Sequence, residues 1–170
     1  MRDREIRIPI IRLKEYIGEF GITVTCLAEL SGIKRLHLSK CMSGEVDERS
    51  GRKRTMSDEN MGRLQESLHQ LSLKLRYTFI LYNTDKEVVK RNGSRYCPDC
   101  VAQIKSQLSP YLNILPFVQH CLGWNRSKVR NVIDNKKSII YGNISKDDVN
   151  RINIILREIA TRLDMLTVTR

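Results

Sequence analysis

The sequence predicts an all-α protein in which one helical unit occurs twice. Apolar residues recur at helical spacing through most of the chain, and polar capping residues and glycines mark where the segments begin and end. A glycine at 32 and another at 123 are each followed by a short segment with the same apolar pattern. Because this pattern and the long segment after it recur in the same order, we interpret the second half as a divergent repeat of the first.

In the first unit, apolar positions from Ile10 to Phe20 predict a helix that ends at Gly21. Residues 24–30 predict a second helix, and residues 35–43, closed by Gly44, predict a third. Residues 45–56 are polar and read as a loop. Ser57 then caps a long helix that we expect to continue through "YTFILY" to about residue 82.

The alignment of Gly32 with Gly123 places "GIKRLHLSKCMSG" over "GWNRSKVRNVIDN". The inward positions Leu38, Cys41 and Met42 then fall on Val129, Val132 and Ile133. Ser57 aligns with Ser145, which starts a second long helix over residues 145–166. We expect these long helices to complete each unit's core, and they could also pack the units on each other or on a second chain.

The region between the units has a different pattern. Asn92-Gly93 lies between Val88-Val89 and Tyr96, a sequence typical of a β-hairpin, and an unstructured linker is the alternative. We therefore divide the chain into a first domain over 1–82, a connector over 83–100 and a second domain over 101–170.

The charge balance indicates a polyanionic partner. The chain has 30 Lys and Arg residues against 19 Asp and Glu residues, a formal net charge of +11. Nucleic acid and an anionic membrane surface both fit this excess, and a merely basic protein is the remaining alternative. Since there is no apolar run of about 18 residues and no signal-peptide core, we expect a cytoplasmic protein that does not span a membrane.

The two short segments around Gly32 suggest a shape that fits a DNA groove: two helices at a steep angle, the second basic on its free face. Residues 24–44 resemble the Cro and phage-repressor type of helix-turn-helix domain, the lambda-repressor-like family. The residues that carry the resemblance are Leu27-Ala28, Gly32, Ile33, Leu38 and Cys41. Residues 114–137 resemble it more weakly, since Gln119 replaces the small residue.

The resemblance implies that the second helix of each motif lies in a DNA major groove. It assigns base contacts to Arg35, Leu36 and Lys40 in the first copy and to Arg126, Ser127 and Asn131 in the second. Further DNA-binding candidates beside these helices are Lys34, His37, Lys128, Arg130 and the helix-capping Asn125. The helical wheel independently predicts that Ser127 and Asn131 point most directly outward.

Val24 and Leu115 stand where the family often has a phosphate-binding amide, leaving Thr23, Thr25 and Asn113 as substitutes. The outward Leu36 fits a thymine methyl group or, equally, another protein surface. The second copy is therefore the stronger candidate for base reading.

Basic runs follow both of these helices. Arg52, Lys53 and Arg54 follow the first, and Lys136 and Lys137 follow the second. These positions suit contacts to the DNA backbone, and a solvated loop is the alternative. The N-terminal arm "MRDREIR" could also reach a groove, although an unordered terminus is more usual.

Cys97-Pro98-Asp99-Cys100 is the only closely spaced cysteine pair. It supplies half of a zinc site. Of the nearest later candidates, His120 and Cys121, at most one could easily join it, because neighbours on a helix point about 100° apart, and a fourth ligand is missing. We therefore predict no metal and retain Cys97 and Cys100 only as weak candidates. A redox pair is a further alternative. We prefer the interpretation that the segment only forms the start of a helix, because Pro and Asp suit the first turn of a helix.

We find no catalytic motif or phosphate-binding loop, and we expect neither an enzyme nor a cofactor. The sequence therefore suggests a bacterial or phage transcription regulator that binds double-stranded DNA sequence-specifically through two unlike motifs, alone or as a homodimer. The alternative is a protein-interaction module, such as an antitoxin or mobile-element adaptor. Non-specific DNA coating is a third interpretation.

Overall fold

The computed structural model describes residues 4–170, which are mainly helical with two small two-stranded sheets. The first half comprises β1 (Ile6–Pro9), α1 (Ile10–Gly18), α2 (Val24–Ser31), α3 (Arg35–Ser43) and α4 (Asp58–Arg76). A hairpin of β2 (Val88–Val89) and β3 (Arg95–Tyr96) follows. The second half comprises α5 (Asp99–Leu108), α6 (Ile114–Leu122), α7 (Arg126–Ile133), α8 (Lys146–Asp164) and β4 (Leu166–Thr169). Each half thus has three short helices and then a long one.

Most helices begin and end at the capping residues that the sequence predicted. The Ser57 hydroxyl accepts a hydrogen bond from the Asn60 amide at the start of α4, and Ser145 forms a capping box with Asp148 at the start of α8. Gly32 and Gly123 end α2 and α6 in the left-handed conformation, with φ of 69° and 66°. The predicted hairpin at Asn92-Gly93 is confirmed by the antiparallel pairing of β2 with β3.

The predicted extension of the first long helix to residue 82 is wrong. The helix α4 ends at Arg76, and residues 77–82 run on without helical structure. The backbone N–H and C=O of Ile80 bond to the side chain of Asn153 on α8, at 2.9 and 2.8 Å, and so do not enter a helical ladder. Similarly, α1 ends at Gly18 rather than Gly21, because a turn with Gly21 at φ +78° reverses the chain.

The two long helices pack against each other more extensively than any other pair of elements. Their inward faces supply the following fully or almost fully buried residues: Leu64, Leu68, Leu71, Leu75, Ile152, Leu156, Ile159 and Leu163. Burial of one such side chain contributes roughly 1.5–3 kcal/mol. At one end of this contact, Asp164 of α8 bonds to Arg76, Ser72 and His69 of α4.

The segment that follows each long helix, which we call its tail, packs against the long helix of the other half. Gln65 and Asn153 occupy equivalent positions when Ser57 is aligned with Ser145. Gln65 of α4 donates to the Leu166 carbonyl at 2.6 Å and accepts from the Val168 amide at 3.1 Å. Asn153 of α8 makes the corresponding pair of bonds to Ile80. Each half therefore holds the tail of the other through one amide side chain.

The strand β4 also pairs in parallel with β1, with Ile6 opposite Leu166 and Ile8 opposite Val168. This pairing was not predicted. It includes Ile6 and Arg7, the last two residues of the basic arm "MRDREIR". Residues 1–3 of that arm lie outside the described residues.

The halves also meet at the turn before each motif. Ile22 and Leu112 form an antiparallel bridge, and the Asn113 amide donates to the Gly21 carbonyl at 2.7 Å. Ile22 and Leu112 each come directly before the N-cap position of a motif's first helix, Thr23 for α2 and Asn113 for α6. Reciprocal contacts between equivalent residues are typical of two-fold symmetry, so the two halves resemble the subunits of a two-fold dimer joined in one chain.

No helix formed by residues 4–170 is long and apolar enough to cross a membrane.

Gly21→Ala should destabilise the fold by about 1–3 kcal/mol. Its φ is positive, and a Cβ there would lie 2.7 Å from the Asn113 carbonyl oxygen. Gly18→Ala is the matched control: at the end of α1 its Cβ would meet nothing within 4 Å, so we expect no loss of stability or a small gain. Urea unfolding of both variants tests this, and equal midpoints would contradict the importance of the Gly21 contact.

Candidate nucleic-acid interface

The helix α3 presents a basic and partly apolar end to solvent. Leu38, Cys41 and Met42 are buried, as the periodicity predicts. The exposed residues at the start of α3 are Lys34, Arg35 and Leu36, and Leu36 is 69% exposed. His37 is half-buried, with its Nε2 3.9 Å from the Cys41 sulfur. Helix α2 ends at Gly32, so the exposed start of α3 follows directly after a tight turn.

The helix α7 presents a more uniformly polar end. Its buried face consists of Val129, Val132 and Ile133. The Asn125 side chain accepts from the Lys128 amide at 2.8 Å, which makes Asn125 the N-cap as predicted. The residues that α7 exposes are Arg126, Ser127, Lys128 and Arg130.

Asn131 differs from the expectation that it points most directly outward. It is half-buried, and its Oδ1 accepts from Asn135 at 3.2 Å. Asn135 lies one helical turn after Asn131, and its backbone amide bonds to the Arg130 carbonyl, so the two asparagine side chains meet. The Asn131 amide hydrogens have no acceptor among residues 4–170. Recognition of adenine by an asparagine would use these hydrogens.

The two units differ in how their cations are paired. Lys40 of α3 forms a salt bridge with Glu45 at 3.1 Å, and Arg54 forms one with Asp47 at 3.4 Å. In the second unit, Arg126, Arg130, Lys136 and Lys137 form no salt bridge with any residue from 4 to 170. Glu45 and Asp47 therefore reduce the positive charge beside α3, while Lys34, Arg35, Arg52 and Lys53 there form no salt bridge within residues 4–170. The carboxylate beside α7, Asp134, is paired with Lys105 of α5.

The loop after α3 is more ordered than its composition suggested. Val46 and Lys53 form an isolated bridge, and the Asp47 carboxylate accepts from the backbone amides of Arg49 and Ser50. These backbone hydrogen bonds, first that of Ser50, lower the pKa of Asp47. Asp47 therefore stays ionised and keeps its pairing with Arg54. Arg52 and Lys53 of this loop are exposed.

The loop after α7 presents two lysines and one isoleucine. The Asn135 side chain and carbonyl accept from the amides of Lys137 and Ser138, and the Gly142 amide bonds to the Val132 carbonyl. Lys136 and Lys137 are exposed, and Ile139 is 92% exposed. Ile139 did not emerge from the sequence, because an Ile-Ile pair gives no sign of which member packs inside.

Two further residues near α7, Trp124 and Arg151, did not emerge from the sequence. The Lys128 ammonium lies 4.2 Å from the centre of the Trp124 ring, a cation–π contact that orients this lysine. Arg151 of α8 donates from its Nε to the Cys121 carbonyl at 2.6 Å and so ties α8 to the end of α6. An arginine that caps a neighbouring helix leaves no local sequence signal.

Cys97 and Cys100 lie in the core, at the start of α5. The Cys97 thiol donates to the Asn83 carbonyl at 3.5 Å, and the Cys100 thiol donates to the Leu81 carbonyl at 3.6 Å. Burial is the main cause that raises the pKa of Cys100 to about 12. Among the described residues, no three His, Cys, Asp or Glu side chains are grouped as metal ligands. The pair therefore helps to hold the exchanged tail of the first half.

Compared with known proteins, the chain matches no family model, no curated protein and no solved structure.

All five cysteines are buried free thiols, so iodoacetamide at neutral pH should leave the native protein largely unmodified and should alkylate it fully in urea. The reason is that burial raises the pKa of Cys100 to about 12, that of Cys26 to about 11 and that of Cys121 still further. Mass spectrometry of both samples measures this. Rapid native alkylation of Cys97 or Cys100 would contradict the structural role of the pair.

Proposed function

We propose that this protein is a sequence-specific regulator of transcription that binds double-stranded DNA through two unlike helix-turn-helix units. In this proposal α2 with α3 and α6 with α7 are the two motifs, of the lambda-repressor-like type. The observation that carries the proposal is the exposed end of α7, where Arg126, Ser127, Lys128 and Arg130 project from a capped helix. The net charge of +11 supports a polyanionic partner.

The chemistry of α7 suits the reading of base edges. An arginine donates two hydrogen bonds to the N7 and O6 acceptors of guanine, and an asparagine pairs with adenine. Arg126 lies at the start of α7, the part of a recognition helix that faces the bases, and Asn131 lies further along it. Lys136 and Lys137, in the loop that follows, are placed to contact phosphates.

The first unit is expected to contribute less to base reading. Its α3 exposes Arg35 and the apolar Leu36, while Lys40 and Arg54 are paired with carboxylates. Contacts to the backbone and to a thymine methyl group remain available to it. The two half-sites should therefore differ in sequence and in their share of the binding energy.

The reciprocal contacts between the halves support a repressor-like arrangement. In two-fold repressor dimers the recognition helices meet successive major grooves about 34 Å apart. Here the pairing of α4 with α8 and the exchanged tails take the place of a dimer interface. Because one chain supplies both units, the occupation of both half-sites should not require dimerisation.

A protein-interaction module is the second candidate function, and exposed apolar side chains favour it. Leu36 is 69% exposed. In the first tail, Tyr77, Phe79 and Leu81 are 83%, 50% and 59% exposed, alternating with the buried Ile80. The salt dependence of DNA binding separates the candidates: a DNA reader loses affinity steeply as salt rises, in proportion to its phosphate contacts.

Arg126→Ala should weaken binding to the preferred site by about 1–3 kcal/mol and relax preference at one base pair. Lys136→Ala should weaken all sequences about equally and reduce the salt slope by about one. Arg91→Ala, in the turn of the β2–β3 hairpin, is the control and should bind like the parent. Fluorescence anisotropy against matched and mismatched duplexes measures all three. Uniform weakening by both Arg126→Ala and Lys136→Ala would contradict base reading by α7.

Selection from a randomised duplex pool near physiological salt should enrich a site with two unlike halves about ten base pairs apart. Enrichment of a single short half-site would show that the first unit does not read bases. If no sequence is enriched while salt-sensitive binding persists, the protein coats DNA without specificity and the proposed regulator is wrong.

A further inference from the structure

We propose that the first unit contains a binding site for a small apolar anion, such as a short aliphatic or aromatic carboxylate. The site is a cavity of about 200 Å³ at the junction of β1, the start of α1, the end of α3 and residues 53–56. It lies on the first unit, apart from the exposed end of α7. No residue of the interface described on α7 lines it.

The walls of the cavity are largely apolar. Ile10, Cys41 and Met56 line it and are themselves buried, and Met61 and the exposed Ile11 complete the apolar part. An apolar cavity of about 150 Å³ can hold a benzene molecule, so this one accommodates a hydrocarbon group of roughly six to eight carbons. Displacement of water from such walls favours an apolar ligand group.

The polar lining of the cavity is cationic. Lys53, Arg54 and Arg170 line it, and no acidic side chain does. Arg170 pairs with Asp58, and Arg54 uses one terminal nitrogen for Asp47 at 3.4 Å. Lys53 has no salt-bridge partner within residues 4–170. The positive rim selects an anionic ligand over a cationic one.

Arg54 also has a donor without an acceptor. Its Nε is shielded from solvent and has no hydrogen-bond partner among the described residues. Because this atom is out of reach of a water molecule, a ligand in the cavity would meet the rest of the guanidinium rather than this donor. A carboxylate in the adjoining cavity would instead interact with the charge and the outer nitrogens of the guanidinium, while its hydrocarbon part contacts Ile10, Met56 and Met61.

The site adjoins the proposed DNA contacts of the first unit. Lys53 belongs to the basic run that we assign to the phosphate backbone and has no salt-bridge partner within residues 4–170, so a bound anion would neutralise positive charge there and weaken DNA binding. This regulatory step rests on the proposed function. The ligand site itself does not, because ligand binding is measured without DNA.

The probes are hexanoate and benzoate, with 1-hexanol and benzyl alcohol as neutral partners of the same size. Titration of the ¹⁵N-labelled full chain should shift amide signals of residues 53–56 and of the end of α3. We expect each carboxylate to bind about tenfold or more tightly than its alcohol, the effect of a charge-assisted hydrogen bond. Equal binding of acid and alcohol, or no binding of either acid at millimolar concentration, would overturn the site.

Two pairs of variants separate the site from general effects on folding. Arg54→Gln should remove most of the preference for the acid, whereas Arg52→Gln, on the same loop but outside the cavity lining, should preserve it. Thr55→Trp should block both ligands, because Thr55 is exposed and lines the cavity, whereas Thr25→Trp on α2 should not. If Arg52→Gln and Arg54→Gln lower acid binding equally, the carboxylate is attracted by the loop charge and the assigned site is wrong.

Repetition of the DNA titration with saturating benzoate tests the regulatory step, with an expected loss of affinity of several-fold. Ligand binding with unchanged DNA affinity would overturn the coupling and leave the site intact. Ligand binding by a chain that binds no DNA would overturn the proposed regulator instead.

Discussion

The packing of α4 against α8 is the interaction on which the rest of the structure depends. Each short-helix layer is too small to bury its own apolar face, and each completes its core against one of these long helices. The exchanged tails strengthen the same contact, since Asn153 binds the backbone of Ile80 and Gln65 binds that of Leu166 and Val168. Because these bonds run in both directions, neither half is expected to keep its full core alone.

Under the proposed function, this packing also decides how two half-sites would be read. A pair of separate repressor subunits must bind each other before they can read two half-sites, whereas here both units are fixed by covalent connection and by a buried interface. The two units were then free to differ. The cations of α7 remain unpaired within residues 4–170, while Lys40 and Arg54 of the first unit are paired with Glu45 and Asp47. We interpret the first unit as the one that has acquired additional roles, including the proposed ligand cavity.

The local parts of this architecture could be predicted from the sequence. The bounds of α3, the caps at Ser57, Asn125 and Ser145, and the hairpin at Asn92-Gly93 each depend on residues only a few positions apart. The inward faces of α3 and α7 follow from helical periodicity, which records which side of a helix is buried. The repeat itself was visible from the aligned glycines and serines. The sequence alone therefore determined the helical units, their order and their basic exposed helices.

Only the tertiary structure decided how these units are joined. "YTFILY" has a helical apolar pattern, yet it leaves the helix because Asn153, distant in sequence, offers its backbone better-placed partners. The β1–β4 pair, the pairing of Arg54 with Asp47 and the cavity beside Arg54 likewise depend on where separate segments meet. Sequence periodicity reports burial along one element. Packing between elements far apart in the chain decides which element covers a buried face and which charged residues lie beside it.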